Sequence, residues 1–318
     1  MPRIRAPAKG QGVTTPVSTG EQGDDMQDLA GQVAVITGGG SERGIGRATG
    51  TLLAENGVKV VLADLNKEAL DKTVEELTGK GHDVIGVPTD VADLSSMQNL
   101  ANQAFDHYGK VDIAFLNAGI GGGGNLFDDE MDSWNRVIAV NFLGVLHGIK
   151  AFVPRMIAQG THGHVLATSS GAGTTGTMYT GAGYATTKAA VCSLMECLYG
   201  QLRDQGADIQ ATVVFPPLAR TNLAGDPAIM DMVAKGLEAG GVPGVLAEPE
   251  EVAQVVFEAI QKDSFWAHPT HEQDDRLFNG KFTTLIDWEA GIIDARAAAM
   301  NGGSKPDPYL WGGSGAPS

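Results

Sequence analysis

The stretch QVAVITGGGSERGIGRATG, residues 32–50, decides the fold. An apolar run of strand character, Val33 to Thr37, gives way to glycines and polar residues, and a helical segment opens at Ile45. Glycines let the backbone turn tightly and bring amide groups against a pyrophosphate, a placement that the positive end of a helix favours. Gly38, Arg43, Gly44, Ile45 and Gly46 are therefore the expected phosphate-side contacts. Such a run alone also suits a plain strand-to-helix turn. Asp64 tips the balance: it closes the next apolar run, Val58 to Asp64, where a carboxylate accepts hydrogen bonds from an adenosine ribose, with Leu65 beside it. A 2′-phosphate would meet the Asp64 charge at close range, so NAD is expected in preference to NADP. Arg43 pulls the other way, since it can reach a 2′-phosphate.

Outward from this unit, Asp83 to Val87, Asp112 to Leu116, His164 to Thr168 and Ile209 to Phe215 are short apolar runs. The segments between them repeat apolar residues at helical spacing. Alternation of this kind builds βαβ units, and so a central parallel sheet with helices on both faces. No linker interrupts the chain from Gln32 to about Lys262. One doubly wound α/β domain over residues 29–300 is expected, with a C-terminal helical extension, a disordered arm over 1–28 and a flexible Gly-, Pro- and Ser-rich tail over 301–318. At 318 residues, 42% apolar and 19% charged, the chain has the material for such a core.

A net charge of −16 without a Lys/Arg cluster argues against nucleic acid or anionic membrane as a partner. No apolar run reads as long enough to span a bilayer. Cys192 and Cys197 lack disulfide-framework or metal-site spacing, which suits a reducing, cytoplasmic compartment. His268, His271 and Glu272 suggest a metal site, but Pro269 breaks the helix that would align them, and no metal is expected.

Tyr184 and Lys188 stand one helical turn apart in YATTKAAVCSLM, so their side chains share a face. A free phenol titrates near pH ~10; an adjacent ammonium stabilises phenolate and makes a usable acid/base at neutral pH. With the glycine run and this pair come Asp90-Val91, the triplet Asn117-Ala118-Gly119, Asn141 in a long helical segment, and Ser170 after the fifth apolar run. The ordered set, over roughly Gln32 to Trp266, resembles the short-chain dehydrogenase/reductase family, whose domain is of Rossmann type.

That resemblance implies roles. Tyr184 would be the general acid/base, Ser170 would hydrogen-bond the substrate oxygen, Lys188 would bind the nicotinamide ribose and depress the Tyr184 pKa, and Asn141 would hold a proton-relay water. Asp90 and Val91 would flank adenine, Asn117, Ala118 and Gly119 would line the cofactor floor, and Ala219 and Thr221 would sit at the nicotinamide, Thr221 on its carboxamide. The long helical segments Met131 to Ala158 and Tyr184 to Gly206 resemble the pair that joins subunits in this family, so a homodimer or homotetramer is expected.

Three departures from the family pattern stand out. The glycine run is two residues longer, with Glu42 and Arg43 the extra pair. Ser170 lies fourteen residues before Tyr184, one more than usual, with Ser169 the second candidate. Pro216-Pro217 replaces the usual Pro-Gly. In addition, Ser264 to His268 and a further helical stretch take the place of the glycine-rich C-terminal strand.

The expected reaction is NAD-dependent interconversion of a secondary alcohol and a ketone. Leu126, Phe127, Met178, Tyr179 and Leu223 surround the expected pocket with Arg220 as the only charge, which favours a neutral, apolar aryl or alicyclic substrate. An NAD-sensing module without catalysis, and a nucleotide-sugar epimerase or lyase on the same fold, are the rival readings. Met230 and Met232 fall in the segment where the family carries a substrate lid.

Overall fold

The computed structural model describes residues 28–124, 126–127, 131–175, 181–216, 218–224, 235 and 246–267. Its strands are β1 (Val33–Thr37), β2 (Lys59–Asp64), β3 (Val84–Pro88), β4 (Ile113–Leu116), β5 (Gly163–Thr168) and β6 (Ile209–Val214), each within a residue or two of the apolar run that predicts it. A short β9 (Trp266–Ala267) adds a seventh strand, and the sheet order is β3-β2-β1-β4-β5-β6-β9. Ser264 to His268 was expected to replace a terminal strand; in fact Trp266 and Ala267 pair in parallel with Val213 and Val214. All neighbouring strands of this sheet are parallel. A separate two-residue pair, β7 (Leu218–Ala219) with β8 (Leu246–Ala247), marks where the chain leaves and returns.

The side chains of a strand alternate between faces, and here both faces are apolar. Val35, Val61, Ala114, Val165 and Val213 join one core with α3 (Leu94–Tyr108), α5 (Gly144–Gln159) and α7 (Ala182–Asp204). Ile36, Leu62, Phe115, Leu166 and Val214 join the other with α1 (Ile45–Glu55), α2 (Lys67–Gly79) and the helix over Pro249–Gln261, α8. The domain is therefore doubly wound.

Capping residues set the helix starts. Asn66 accepts from the Ala69 amide before α2, Asp93 from the Ser95 amide before α3, and Glu251 from the Glu248 amide at α8, where Pro249 is the first residue. The helix expected from Met131 runs through α4 (Met131–Val137), a π segment (Ile138–Leu143) and α5 without a break. By length and composition this stretch is apolar enough to cross a membrane, against the expectation that no apolar run is long enough to do so. In the fold its Val145, Phe152 and Met156 are buried against the sheet.

Candidate active site

The loop after β1 leads into α1, and α1 begins unlike its neighbours. Its N-cap is Gly44, which supplies no side-chain cap, and its first turn holds no acidic residue. The first-turn N–H groups of α1 thus lack the carboxylate or amide that serves α2 and α3, and they fit an external anion such as a pyrophosphate. Gly46 is fixed by contact: a Cβ there would stand 2.5 Å from the Gly38 carbonyl oxygen. Gly38 itself has φ of +73°. The two extra residues sit at the surface, where Glu42 pairs with Lys72 at 3.7 Å and Arg43 is exposed.

Asp64 ends β2 with both oxygens engaged by backbone, one by Gly40 N at 2.9 Å and the other by Asn66 N at 3.0 Å. A carboxylate has lone pairs for further donors, so it retains capacity for ribose hydroxyls. Leu65 beside it is exposed. Asp90 is exposed and turns inward on the Ala92 amide at 2.9 Å, while Val91 is buried and its carbonyl accepts from His147 Nδ1 at 3.0 Å.

Asn117 works chiefly as a clip. Its Nδ2 donates to the Thr37 carbonyl at 3.0 Å and its Oδ1 accepts from the Thr168 hydroxyl at 3.0 Å, joining the ends of β1, β4 and β5. The Thr37 hydroxyl in turn accepts the amides of Asn117 and Ala118 at 2.9 and 3.0 Å. Thr37 ends β1 and opens the glycine run, yet it is not among the site residues expected from the sequence. A Thr just before a glycine run was the available signal.

Tyr184 lies in the first turn of α7 and is buried, with Lys188 one turn later. Burial raises the Tyr184 pKa, and a hydrogen bond from Ser170 opposes the rise. The Ser170 hydroxyl also accepts the Ala172 amide at 3.2 Å. Ser169 is placed quite differently: fully buried, it donates to the Lys188 carbonyl at 2.9 Å and meets Cys192 Sγ at 3.0 Å.

Lys188 Nζ donates to the Thr168 carbonyl at 2.8 Å and lies 5.6 Å from the centre of the Tyr184 ring. Burial brings its pKa down to about 8, against an opposing contribution from Cys192, so the ammonium still predominates at pH ~7. It was expected to depress the Tyr184 pKa, yet the opposing influence in the structure comes from Ser170. Gly119 fits against this group, since a Cβ there would be 3.2 Å from Lys188 Nζ and 3.3 Å from Asn141 Oδ1.

Asn141 sits in the π segment with 0% exposure. Its amide clasps the Ile120 backbone, accepting from N at 2.8 Å and donating to O at 2.9 Å, with Thr187 Oγ1 at 3.3 Å. Isolated π turns often mark functional sites. Apolar spacing carries no sign of this one, nor of the contact that holds the start of α7. There the amides of Ala182, Gly183 and Tyr184 donate to the carbonyls of Gly124, Gly123 and Gly122 at 3.3, 3.1 and 3.1 Å. The two backbones approach so closely that a Cβ on Gly123 would lie 2.5 Å from the Gly183 Cα.

Of the residues expected around the pocket, Leu126, Phe127 and Leu223 are exposed, as is Met131. Arg220 is paired with Glu248, Nε to Oε1 at 3.0 Å, and Thr221 follows it with its amide on the Ala219 carbonyl at 2.7 Å. Met178, Tyr179, Pro217, Met230, Met232, His268, His271 and Glu272 lie outside the described residues. Among the described residues no group of His, Cys, Asp and Glu is arranged to hold a metal.

Comparison with known proteins agrees with this geometry. The short chain dehydrogenase family profile matches residues 32–228. An uncharacterized oxidoreductase of Listeria monocytogenes is 40% identical over 195 residues, 61% of this chain and 77% of its own. A C alpha-dehydrogenase of Sphingobium is 30% identical over 273 residues, covering 82% of this chain and 88% of its own. The crystal structure of a short-chain dehydrogenase/reductase from Burkholderia phymatum in complex with NAD superposes with a TM-score of 0.69 at 34% identity, over 81% of this chain and 96% of that one. An alcohol dehydrogenase of Thermococcus sibiricus complexed with 5-hydroxy-NADP aligns at a TM-score of 0.60 and 27% identity, over 72% and 90% of the two chains. The chain belongs to the short-chain dehydrogenase/reductase family of oxidoreductases.

Proposed function

We propose that the protein is an NAD-dependent dehydrogenase that interconverts a secondary alcohol and a ketone, on a neutral and mainly apolar substrate of aryl or alicyclic type. The observation that carries this reading is the set at the carboxyl edge of the sheet: the Ser170 hydroxyl on the Tyr184 phenol, with Lys188 one turn away, beside the uncapped start of α1. NAD, when bound, supplies the hydride acceptor. Tyr184 takes the alcohol proton at its phenolic oxygen, Ser170 orients the substrate oxygen, and Lys188 holds positive charge near the phenol and the ribose. Asn141 secures the backbone on which a relay water would sit. Gly38, Gly44, Ile45 and Gly46 hold the pyrophosphate, Asp64 and Leu65 the adenosine ribose, Asp90 and Val91 the adenine, and Ala219 and Thr221 the carboxamide.

NAD is favoured because Asp64 would repel a 2′-phosphate, and because a relative of the same fold binds NAD. Two points weigh the other way: another relative of the same fold is complexed with an NADP analogue, and Arg43 of this chain can reach a 2′-phosphate. A neutral substrate is supported by Arg220, whose charge is already matched by Glu248. The single catalytic domain is proposed to span residues 29–300, to act in the cytoplasm, where free Cys192 and Cys197 stay reduced, and to pair as a homodimer or homotetramer. The test is a panel of neutral and acidic secondary alcohols with NAD and NADP, followed at the nicotinamide absorbance. Net NADH formation with a neutral aryl or cycloalkyl alcohol is expected. Binding of NAD without turnover of any alcohol favours a sensor, and turnover of a nucleotide sugar without net NADH favours an epimerase or lyase.

A further inference from the structure

Ser41 and Asn222 are separated by 181 positions, and their loops leave strands that are not neighbours. Ser41 follows β1, whereas Asn222 belongs to the short turn Asn222–Ala224 beyond β6 and β7. In the sheet, β4 and β5 stand between β1 and β6. At about 4.8 Å per strand, the ends of β1 and β6 are roughly 14 Å apart. Yet Asn222 Nδ2 donates to Ser41 Oγ at 3.0 Å. The chain beyond β6 has therefore crossed back over the carboxyl ends of β5 and β4 to reach the loop after β1.

A second contact lies on the same path. A Cβ on Gly121, in the loop after β4, would be 3.6 Å from the Leu223 carbonyl oxygen. The turn thus touches the loops after β1 and after β4. Between those two strands the order of the sheet reverses, and an open parallel sheet takes its ligand at such a switch point. The turn Asn222–Ala224 bridges the mouth of the crevice.

The longer glycine run explains how Ser41 takes part. Gly44 N donates to the Ser41 carbonyl at 3.0 Å, closing a turn with Glu42 and Arg43 at its centre. Those are the two residues by which the run exceeds the family pattern. Glu42 leans on Lys72, which holds the turn against α2. Ser41 is left at the rim of the crevice, with its hydroxyl available to the opposite side.

We propose that the Ser41–Asn222 hydrogen bond is a clasp across the cofactor crevice, and that these two positioning residues set the rate at which the dinucleotide leaves. The proposal rests on the crevice being the dinucleotide site. A ligand lying along the carboxyl edge from Asp64 to Tyr184 passes beneath the clasp, and its release requires the turn to lift. Loss of one hydrogen bond between partly exposed groups should speed release about three- to ten-fold, with little change in association, because differences among related complexes fall mainly on dissociation.

Stopped-flow fluorescence of NADH displacement tests this on the full chain, in the wild type and in Ser41→Ala, Asn222→Ala, the double variant and Ser41→Thr. Each alanine variant is expected to release NADH about three- to ten-fold faster, and the double variant no faster than the singles, since they share one bond. Ser41→Thr, which keeps the hydroxyl, should stay near the wild-type rate. Unchanged release in both alanine variants, or additive effects in the double, overturns the clasp while leaving the cofactor reading intact. Failure of the wild type to bind NADH overturns the cofactor reading and the clasp together.

Discussion

The two edges of the central sheet each hide a fully buried base, and the contrast between them separates chemistry from architecture. At the carboxyl edge Lys188 donates to the Thr168 carbonyl and faces the Tyr184 ring, and burial brings its pKa to about 8. Toward the amino edge His164, the second residue of β5, contacts the Thr212 hydroxyl through Nε2, and burial, aided by the charge of His162, presses its pKa to about 3. Its Nδ1 has no hydrogen-bond partner, the Asp263 carboxylate standing off at 3.7 Å. The two bases are perturbed by the same physical cause. A perturbed pKa is therefore a poor guide to function unless a crevice and a proton-transfer partner accompany it. Lys188 has both, whereas His164 is enclosed by β5, β6 and the turn into β9.

The largest effect should come from the edge with chemistry. Tyr184→Phe is expected to cut kcat by about 10²- to 10⁴-fold, the range for a general acid/base, while the Kd for NADH moves less than about two-fold. A loss below ten-fold would return the carboxyl edge to architecture. Lys188→Met sharpens the contrast differently. The folded-state pKa of Lys188 lies below its unfolded value, so the unfolded chain binds more protons between about pH 8 and the ordinary lysine range, and stability rises with pH across that window. At pH ~7 the buried charge costs stability. Lys188→Met is thus expected to lower kcat and weaken NADH binding, yet to raise the melting temperature at pH ~7 and lose that advantage above about pH 10. A lowered melting temperature at every pH would mean that the bond to Thr168 outweighs desolvation.

Asp64→Ala should have the next largest effect. Charge-assisted bonds are worth roughly 1.5–3 kcal/mol, so removing the carboxylate should reduce the NAD over NADP preference in kcat/KM by about ten-fold or more. Arg43 would then support NADP. A wild type already more efficient with NADP would show that Asp64 serves only the amides of Gly40 and Asn66.

Legibility in the sequence follows the same division. Phosphate binding and proton transfer demand particular side chains at short spacing, so the glycine run, Asp64, Tyr184 and Lys188 stand out as candidates from residue types alone. The strands were equally plain, because both faces of a doubly wound sheet are apolar. The amino-edge cluster carries no such mark: His162 meets residues 46 and 101 positions away, and only the register of parallel strands and the turn before β9 bring them together. Backbone contacts are silent for another reason. The carbonyls of Gly122 to Gly124 that receive the start of α7 have no side-chain signature, and the π segment around Asn141 differs from an α-helix in hydrogen-bond spacing that apolar periodicity does not record.

The smallest expected effect tests whether the amino edge is purely structural. His162 bridges two carboxylates, Asp208 at 3.0 Å and Asp263 at 3.1 Å; desolvation presses its pKa down, but these partners outweigh it and the pKa is raised. Its stabilising contribution is full below the unfolded value of ~6.5 and is lost as pH rises through the raised folded value. His164 has the opposite sign. Its folded pKa, about 3, lies below the unfolded value, so its neutral form is no burden above pH ~6.5, and stability is lost as the unfolded chain takes up a proton on acidification toward pH 3. At pH ~5 this loss is on the order of 2 kcal/mol, or about 4–8 °C in melting temperature, partly offset by His162. His164→Gln should therefore flatten the fall in melting temperature between pH ~7 and ~5, and His162→Asn should steepen it. Activity at pH ~7 should be unaffected in both, because neither residue touches the crevice. Melting curves across that range decide the matter: variants that shift the slope in the same direction would break the assignment of opposite signs, and a fall in kcat would break the contrast between the edges.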